Sequence, residues 1–184
     1  MSTNRADRNR RGAGWQHNGR SRPEFADAPG PGQESVWDYP RPPRIEADRR
    51  RVVVRCFELL IAESSRALRV LETASPPTFY LPREDVRMEL LRESQRRSYC
   101  EWKGEATYYD LDAPWGLSSQ VAWRYLQPHG DFAELAGALA FYPRKLECYV
   151  DNERVRPQPG GFYGGWMTRE IVGPVKGEPG TEGW

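Results

Sequence analysis

Residues 51–57 read RVVVRCF. Three consecutive valines in so short a stretch favour extended backbone, because branching at Cβ restricts χ1 and packs well on a pleated surface. Period-two alternation places Val52, Val54 and Cys56 on one face. Residues 58–62, ELLIA, suit a return strand, so the pair reads as a hairpin. Working outward, residues 67–72 fit helix or strand equally well. Pro76 and Pro77 interrupt, and residues 78–81 resume as a short strand. Pro82 opens a predicted short helix over 83–91, with Val86 and Leu90 at helical spacing. Residues 105–111 and 121–125 read as further strands. Residues 138–142, a turn at 143–145 and residues 146–150 read as a second hairpin, with Leu146, Cys148 and Val150 on one face. Short strands at this spacing, with one or two short helices, predict a mainly antiparallel β domain.

The chain has 184 residues, enough for one domain with a core and a tail. Its 38% hydrophobic content is low for a compact domain, and the shortfall sits near the N-terminus. Residues 1–44 mix Arg, Gly, Asn, Pro and Ser without apolar period and end in YPRPPR. The predicted organisation is therefore a disordered arm over 1–47 with a polyproline-like end, then a single domain over 48–184. Six arginines face Asp7 alone in residues 1–22, but Glu24, Asp27, Glu34 and Asp38 dilute that charge. The rest of the chain is nearly neutral, so composition disfavours nucleic acid as a partner. Within the arm, Trp15, Trp37 and Tyr39 offer aromatic area for docking on the domain. No run approaches the roughly 20 apolar residues of a membrane span. Cys56, Cys100 and Cys148 form no CxxC pair, which points to neither a zinc knuckle nor a disulfide framework and leaves a reducing cytoplasm as the expected setting.

Residues 160–184 hold eight of the seventeen glycines, with Phe162 and Tyr163 between Gly160–Gly161 and Gly164–Gly165 and Trp166 just after. No GxxxxGK[ST] or strand-linked GxGxxG occurs, so these glycines read as bends that project rings rather than as a phosphate cradle. Taken in order, PPTFYLPREDV (76–86), YCEWKGEATYY (99–109), AFYPRKLECYVDNE (140–153) and GGFYGGW…VGPVKGEPGTEGW (160–184) resemble the bacterial and fungal domain of unknown function numbered four-two-seven, sometimes described as nucleotidyltransferase-type. The resemblance covers residues 51–184. It implies a small domain similar to the β-tent fold, two antiparallel sheets meeting at an angle. Zinc-binding members of that fold use CxxC pairs, which this chain lacks, so the resemblance carries no metal.

Candidate chemistry follows from three segments. Arg83 is read as a carboxylate- or phosphate-binding group and Asp85 as a base at a pocket rim. Lys103, after Cys100 and Trp102 and before a glycine, reads as an anion stabiliser, while Cys100 is a nucleophile only with a lowered pKa and otherwise a structural thiol. Tyr163 is the expected proton donor, and Phe162, Trp102 and Trp166 the expected ring contacts. His129 reads as an exposed turn residue. Asp110 and Asp112 share a strand face and are the one feature that suits metal-dependent nucleotidyl transfer. The expectation is a small-molecule site without metal or cofactor, catalytic by acid–base chemistry or a pure binding module.

Overall fold

The structure, a computed structural model, describes residues 16–181, 183 and 184. Trp15 and the first four arginines lie outside these. Two antiparallel sheets make the body. A four-stranded sheet holds β3 (Val52–Cys56), β4 (Leu59–Ser64), β11 (Glu147–Val150) and β12 (Glu153–Arg154) in the order β12-β11-β3-β4. A seven-stranded sheet runs β2-β5-β6-β10-β9-β8-β7, built from β2 (Arg44–Asp48), β5 (Ala67–Glu72), β6 (Ser75–Leu81), β7 (Leu91–Cys100), β8 (Gly104–Ala113), β9 (Gly116–Tyr125) and β10 (Leu139–Phe141). The valine run forms the expected hairpin, turning at Phe57, whose φ is 50°.

Alternation along the strands makes two buried layers. Val52, Val54, Ile61 and Cys148 from the smaller sheet meet Phe79, Leu81, Leu111, Leu139 and Phe141 from the larger one. The residues between these, Tyr80, Tyr108, Trp123 and Ala140, point to the opposite face of the larger sheet and form a second cluster with Trp102, Phe132 and Leu135. One sheet thus has two apolar faces, one packed on a partner sheet and one lined with rings.

Several local expectations change. Residues 139–141 and 147–150 are strands but not a hairpin: β10 pairs with β6 and β9, whereas β11 pairs with β3 and β12. The turn between them carries the chain from one sheet to the other, so both strands face the same core from opposite sides. Pro76 and Pro77 lie inside β6, not outside it, at the register shift where β5 skips from Val70 to Glu72 and their missing N–H groups break no ladder bond. The expected helix over 83–91 is replaced by 3₁₀ turns at Arg83–Asp85 and Met88–Leu90. Val86 bridges Ala62 and Arg87 N donates to Ile61 O (2.8 Å), which holds the backbone extended between the turns.

The segment read as a disordered arm belongs to the fold from residue 34 onward. Glu34–Ser35 (β1) pairs in parallel with Ile171–Val172 (β15), β2 is an edge strand of the large sheet, and the short strands β13 (Arg156–Pro157) and β14 (Trp166–Met167) pair with each other. Val36 and Trp37 are fully buried and Tyr39 nearly so, in a third cluster with Leu71, Ile171 and Val175. Trp37 Nε1 donates to Pro174 O (2.9 Å). His17 and Phe25 meet the Trp37 ring edge-on, and Phe25 stacks on Trp184. Aromatic area outweighs the polar composition of this stretch. Charge clamps it as well: Arg69, on β5, reaches Glu34 (3.1 Å), Glu46 (3.0 Å) and Asp48 (3.5 Å), and Arg50 bridges Asp48 and Glu170.

Candidate functional site

The ring-lined face of the large sheet is the floor of a cavity of about 240 Å³. Thr78 and Tyr80 of β6, Tyr108 of β8, and Trp123 and Tyr125 of β9 supply the floor, with Cys100 and Lys103 at one end and Glu72 at another. Gln158, Phe162, Tyr163 and Gly164 supply the wall. The glycine–aromatic segment therefore lies across the sheet as a cover. Two features seat it. Gln158 is buried, with Oε1 accepting from Gly165 N (3.1 Å) and Nε2 donating to Lys176 O (2.8 Å). A Cβ on Gly164 would come within 2.2 Å of the Trp123 ring, so only glycine lets the backbone lie this close.

Lys103 sits in the turn between β7 and β8 and is only 8% exposed. Its Nζ lies 5.8 Å from the ring centroids of both Tyr125 and Phe132. Burial disfavours the ammonium, but Tyr80, Cys100 and Glu72 outweigh that, and Lys103 titrates above the ordinary lysine value. It is therefore a cation at neutral pH. Burial pushes the phenols of Tyr80, Tyr125 and Tyr142 upward, so they remain neutral donors.

His129 fixes this turn, a role its isolated place in the sequence concealed. Its Nδ1 lies 2.9 Å from Trp102 O, its Nε2 3.3 Å from Tyr99 Oη, and its backbone N donates to Lys103 O (3.3 Å). Gly104, at φ +93°, passes under the imidazole, where a Cβ would meet Nε2 at 3.3 Å. The half-buried histidine thus holds the Trp102–Gly104 backbone from three sides.

Residues 44–152, from β2 to the end of β11 and the turn after it, match the family described as a domain of unknown function (DUF427). The chain belongs to this family. No curated protein matches it. In this DUF427 chain the matched range contains the seven-stranded sheet, every strand of the smaller sheet except β12, and the cavity floor, and it ends before the covering segment at 158–165.

Of the residues singled out in the sequence, Lys103, Cys100, Phe162 and Tyr163 line this aromatic cavity. The others lie elsewhere. Trp166 is fully buried between the sheets, stacked on Phe79 (4.9 Å between centroids), with Nε1 donating to Phe141 O (3.1 Å). Trp102 packs beneath the floor with Phe132 and Leu135. Asp85 and Arg83 occupy the turn after β6 and do not line the cavity. Asp85 accepts from Ser64 Oγ (2.6 Å) and Arg66 Nη2 (2.6 Å), tying that turn to the end of β4. Asp110 accepts from Gln120 N (2.7 Å), and Asp112 pairs with Arg92. Among the described residues, no group of three His, Cys, Asp or Glu side chains is arranged to hold a metal ion, and no helix is long and apolar enough to cross a membrane.

The geometry of Asp85 predicts a measurable pH effect. Partial burial raises a carboxyl pKa, but the bonds from Arg66 and Ser64 outweigh it, and Asp85 is held below its ordinary value. A depressed carboxyl contributes stability that is complete above the unfolded-state pKa and is lost as pH falls through the folded one. Asp85→Asn is expected to cost about 1 kcal/mol at neutral pH. Urea midpoints measured across a pH series should show that gap closing in acid; a gap independent of pH would count against the ionic role.

Proposed function

We propose that this DUF427 domain binds a small planar molecule in the aromatic cavity, with an anionic or carbonyl edge turned toward Lys103. One observation carries the reading: among the described residues no carboxylate lies within ion-pair distance of this buried ammonium, although it faces a cavity. Buried lysines are rare without a charged partner, and ring faces give a desolvated cation only about 2 kcal/mol or somewhat more. A ligand oxygen would complete the shell. The size of the site narrows the ligand further. About 240 Å³ is less than the roughly 300–1,000 Å³ of sites for drug-sized compounds, which suits one or two fused rings. Glu72 on the lining adds an acceptor for a ligand N–H. In a catalytic version, Lys103 stabilises an oxyanion and Tyr163 supplies the proton, since both groups line the same space.

Benzoate is a suitable first probe, read by tryptophan fluorescence because Trp123 forms part of the floor. Lys103→Met is expected to weaken binding by about tenfold or more, the size of one lost charge-assisted hydrogen bond. Asp85→Asn, remote from the cavity, should leave the affinity unchanged. Equal benzoate affinity in wild type and Lys103→Met would remove the basis of the proposal.

A further inference from the structure

Behind the covering loop lies a second cavity of about 170 Å³ with a different character. It shares Tyr142, Phe162 and Tyr163 with the aromatic cavity, so the two cavities adjoin at those rings. Its charged lining is Arg96, Arg144 and Lys145, with no carboxylate. The neighbouring arginines are neutralised: Arg92 pairs with Asp112, and Arg97 and Arg124 both pair with Glu93. Among the described residues, neither Arg96, Arg144 nor Lys145 has a carboxylate within ion-pair distance. Each is instead held in place by neutral groups. Arg96 lies over the Tyr108 ring at 5.1 Å. Arg144 Nη2 reaches the carbonyls of Gln158 (3.4 Å) and Gly160 (3.3 Å), and Lys145 Nζ donates to Ser119 O (2.7 Å). Like charges gathered without an ion-paired carboxylate favour an entering anion, although all three residues are exposed and water screens part of that effect. The Lys145 ammonium feels both its neighbours: burial and Arg96 lower its pKa, and the Asp110 carboxylate offsets only part of that.

Three cations, two of them planar guanidinium groups, suit a dianion with several acceptor oxygens better than a single carboxylate. We infer that the basic cavity receives the phosphate of a phosphorylated ring compound whose ring occupies the aromatic cavity next to it. This deepens the proposed binding function and rests on it. The ligand class is then a planar acid or amide carrying a phosphomonoester: ring on Tyr80 and Trp123, oxygen edge at Lys103, phosphate at Arg96 and Lys145. Tyr142, Phe162 and Tyr163 border both cavities, so the bond joining ring and phosphate would pass beside them. The balanced charges of the shallow site around Arg51, Arg66, Glu63 and Asp85 show the contrast, since carboxylates there already occupy the cations.

The test compares benzoate, inorganic phosphate and 4-carboxyphenyl phosphate by calorimetry on the full chain. The phosphorylated ring is expected to bind about tenfold or more tighter than either fragment, as two or three charge-assisted hydrogen bonds would provide. An Arg96→Gln/Lys145→Gln double variant, which spares the loop contacts of Arg144, should abolish that advantage while benzoate still binds, and added salt should shrink it. Benzoate and its phosphate bound equally, with Lys103→Met weakening both, would overturn this inference and leave the aromatic site intact. Inorganic phosphate bound as tightly as the ring phosphate, or no binding of the ring phosphate at millimolar concentration, would also overturn it. So would a double variant that keeps the full advantage.

Discussion

Trp37→Ala is expected to destabilise the fold by about 3–5 kcal/mol, the range for truncating a fully buried large ring. Trp37 has no exposed surface, and its Nε1–H satisfies the carbonyl of Pro174. Truncation would remove a large hydrophobic side chain, leave that carbonyl without its donor, and undo the edge-on contacts with His17, Phe25 and Trp184. Because these partners come from both ends of the sequence, the loss would also loosen the β1–β15 pairing. Urea unfolding followed by near-ultraviolet circular dichroism measures the change. Phe57→Ala, at a ring 66% exposed, is the control and should move the midpoint by less than about 0.5 kcal/mol. A Trp37→Ala midpoint equal to wild type would mean that residues 34–39 are not docked.

Arg69→Ala is the second large effect, about 3–5 kcal/mol, and it differs from the first in being pH-dependent. The Arg69 side chain is 11% exposed and its guanidinium stands among the carboxylates of Glu34, Glu46 and Asp48. Among the described residues, deleting it leaves Glu34 without an ion-pair partner, Glu46 with only Arg44 and Asp48 with only Arg50. The sign follows from Asp48. Its burial raises the carboxyl pKa, but the hydrogen bonds and charges of Arg50 and Arg69 outweigh that and hold it low. In the wild type, acid therefore removes stability as Asp48 is protonated. In the variant, protonation instead relieves repulsion, so the difference between the two proteins should be widest near neutrality and narrow toward about pH 4. Thermal midpoints at several pH values distinguish this from loss of packing alone, which would give a constant difference.

Much of the architecture is legible where apolar alternation is strong. RVVVRCF and the strand at 105–111 carry their faces openly, because each buries one side against the other sheet. Strand β7, Leu91–Cys100, is not legible: Arg92, Glu93, Arg96 and Arg97 are exposed on an edge strand held by its ladder to β8, and period-two hydrophobicity is absent. The mistaken hairpin at 138–150 has another cause. Alternation reports that a strand has a buried face, but not which strand lies beside it, and β10 and β11 bury their faces against the same core from different sheets. The site shows the same division. Lys103, Cys100, Phe162 and Tyr163 come together because the β7–β8 turn and the glycine-rich loop meet over one sheet face. Asp85 stays apart because its turn is bridged to β4. His129 and Gln158 gave no signal, since both act through backbone groups of residues distant in sequence.

The parallel pairing of β1 with β15 joins positions more than a hundred residues apart. Contacts that span so much of a chain close late, since the entropy of bringing such distant segments together must be met before the contact contributes. During synthesis, residues 34–39 would leave the ribosome long before Ile171 and Val172 exist to receive them. The two sheets would have to assemble first, with Trp37 still in solvent. Closure of the two ends then becomes the final folding step, and it also seats the segment that roofs the cavity.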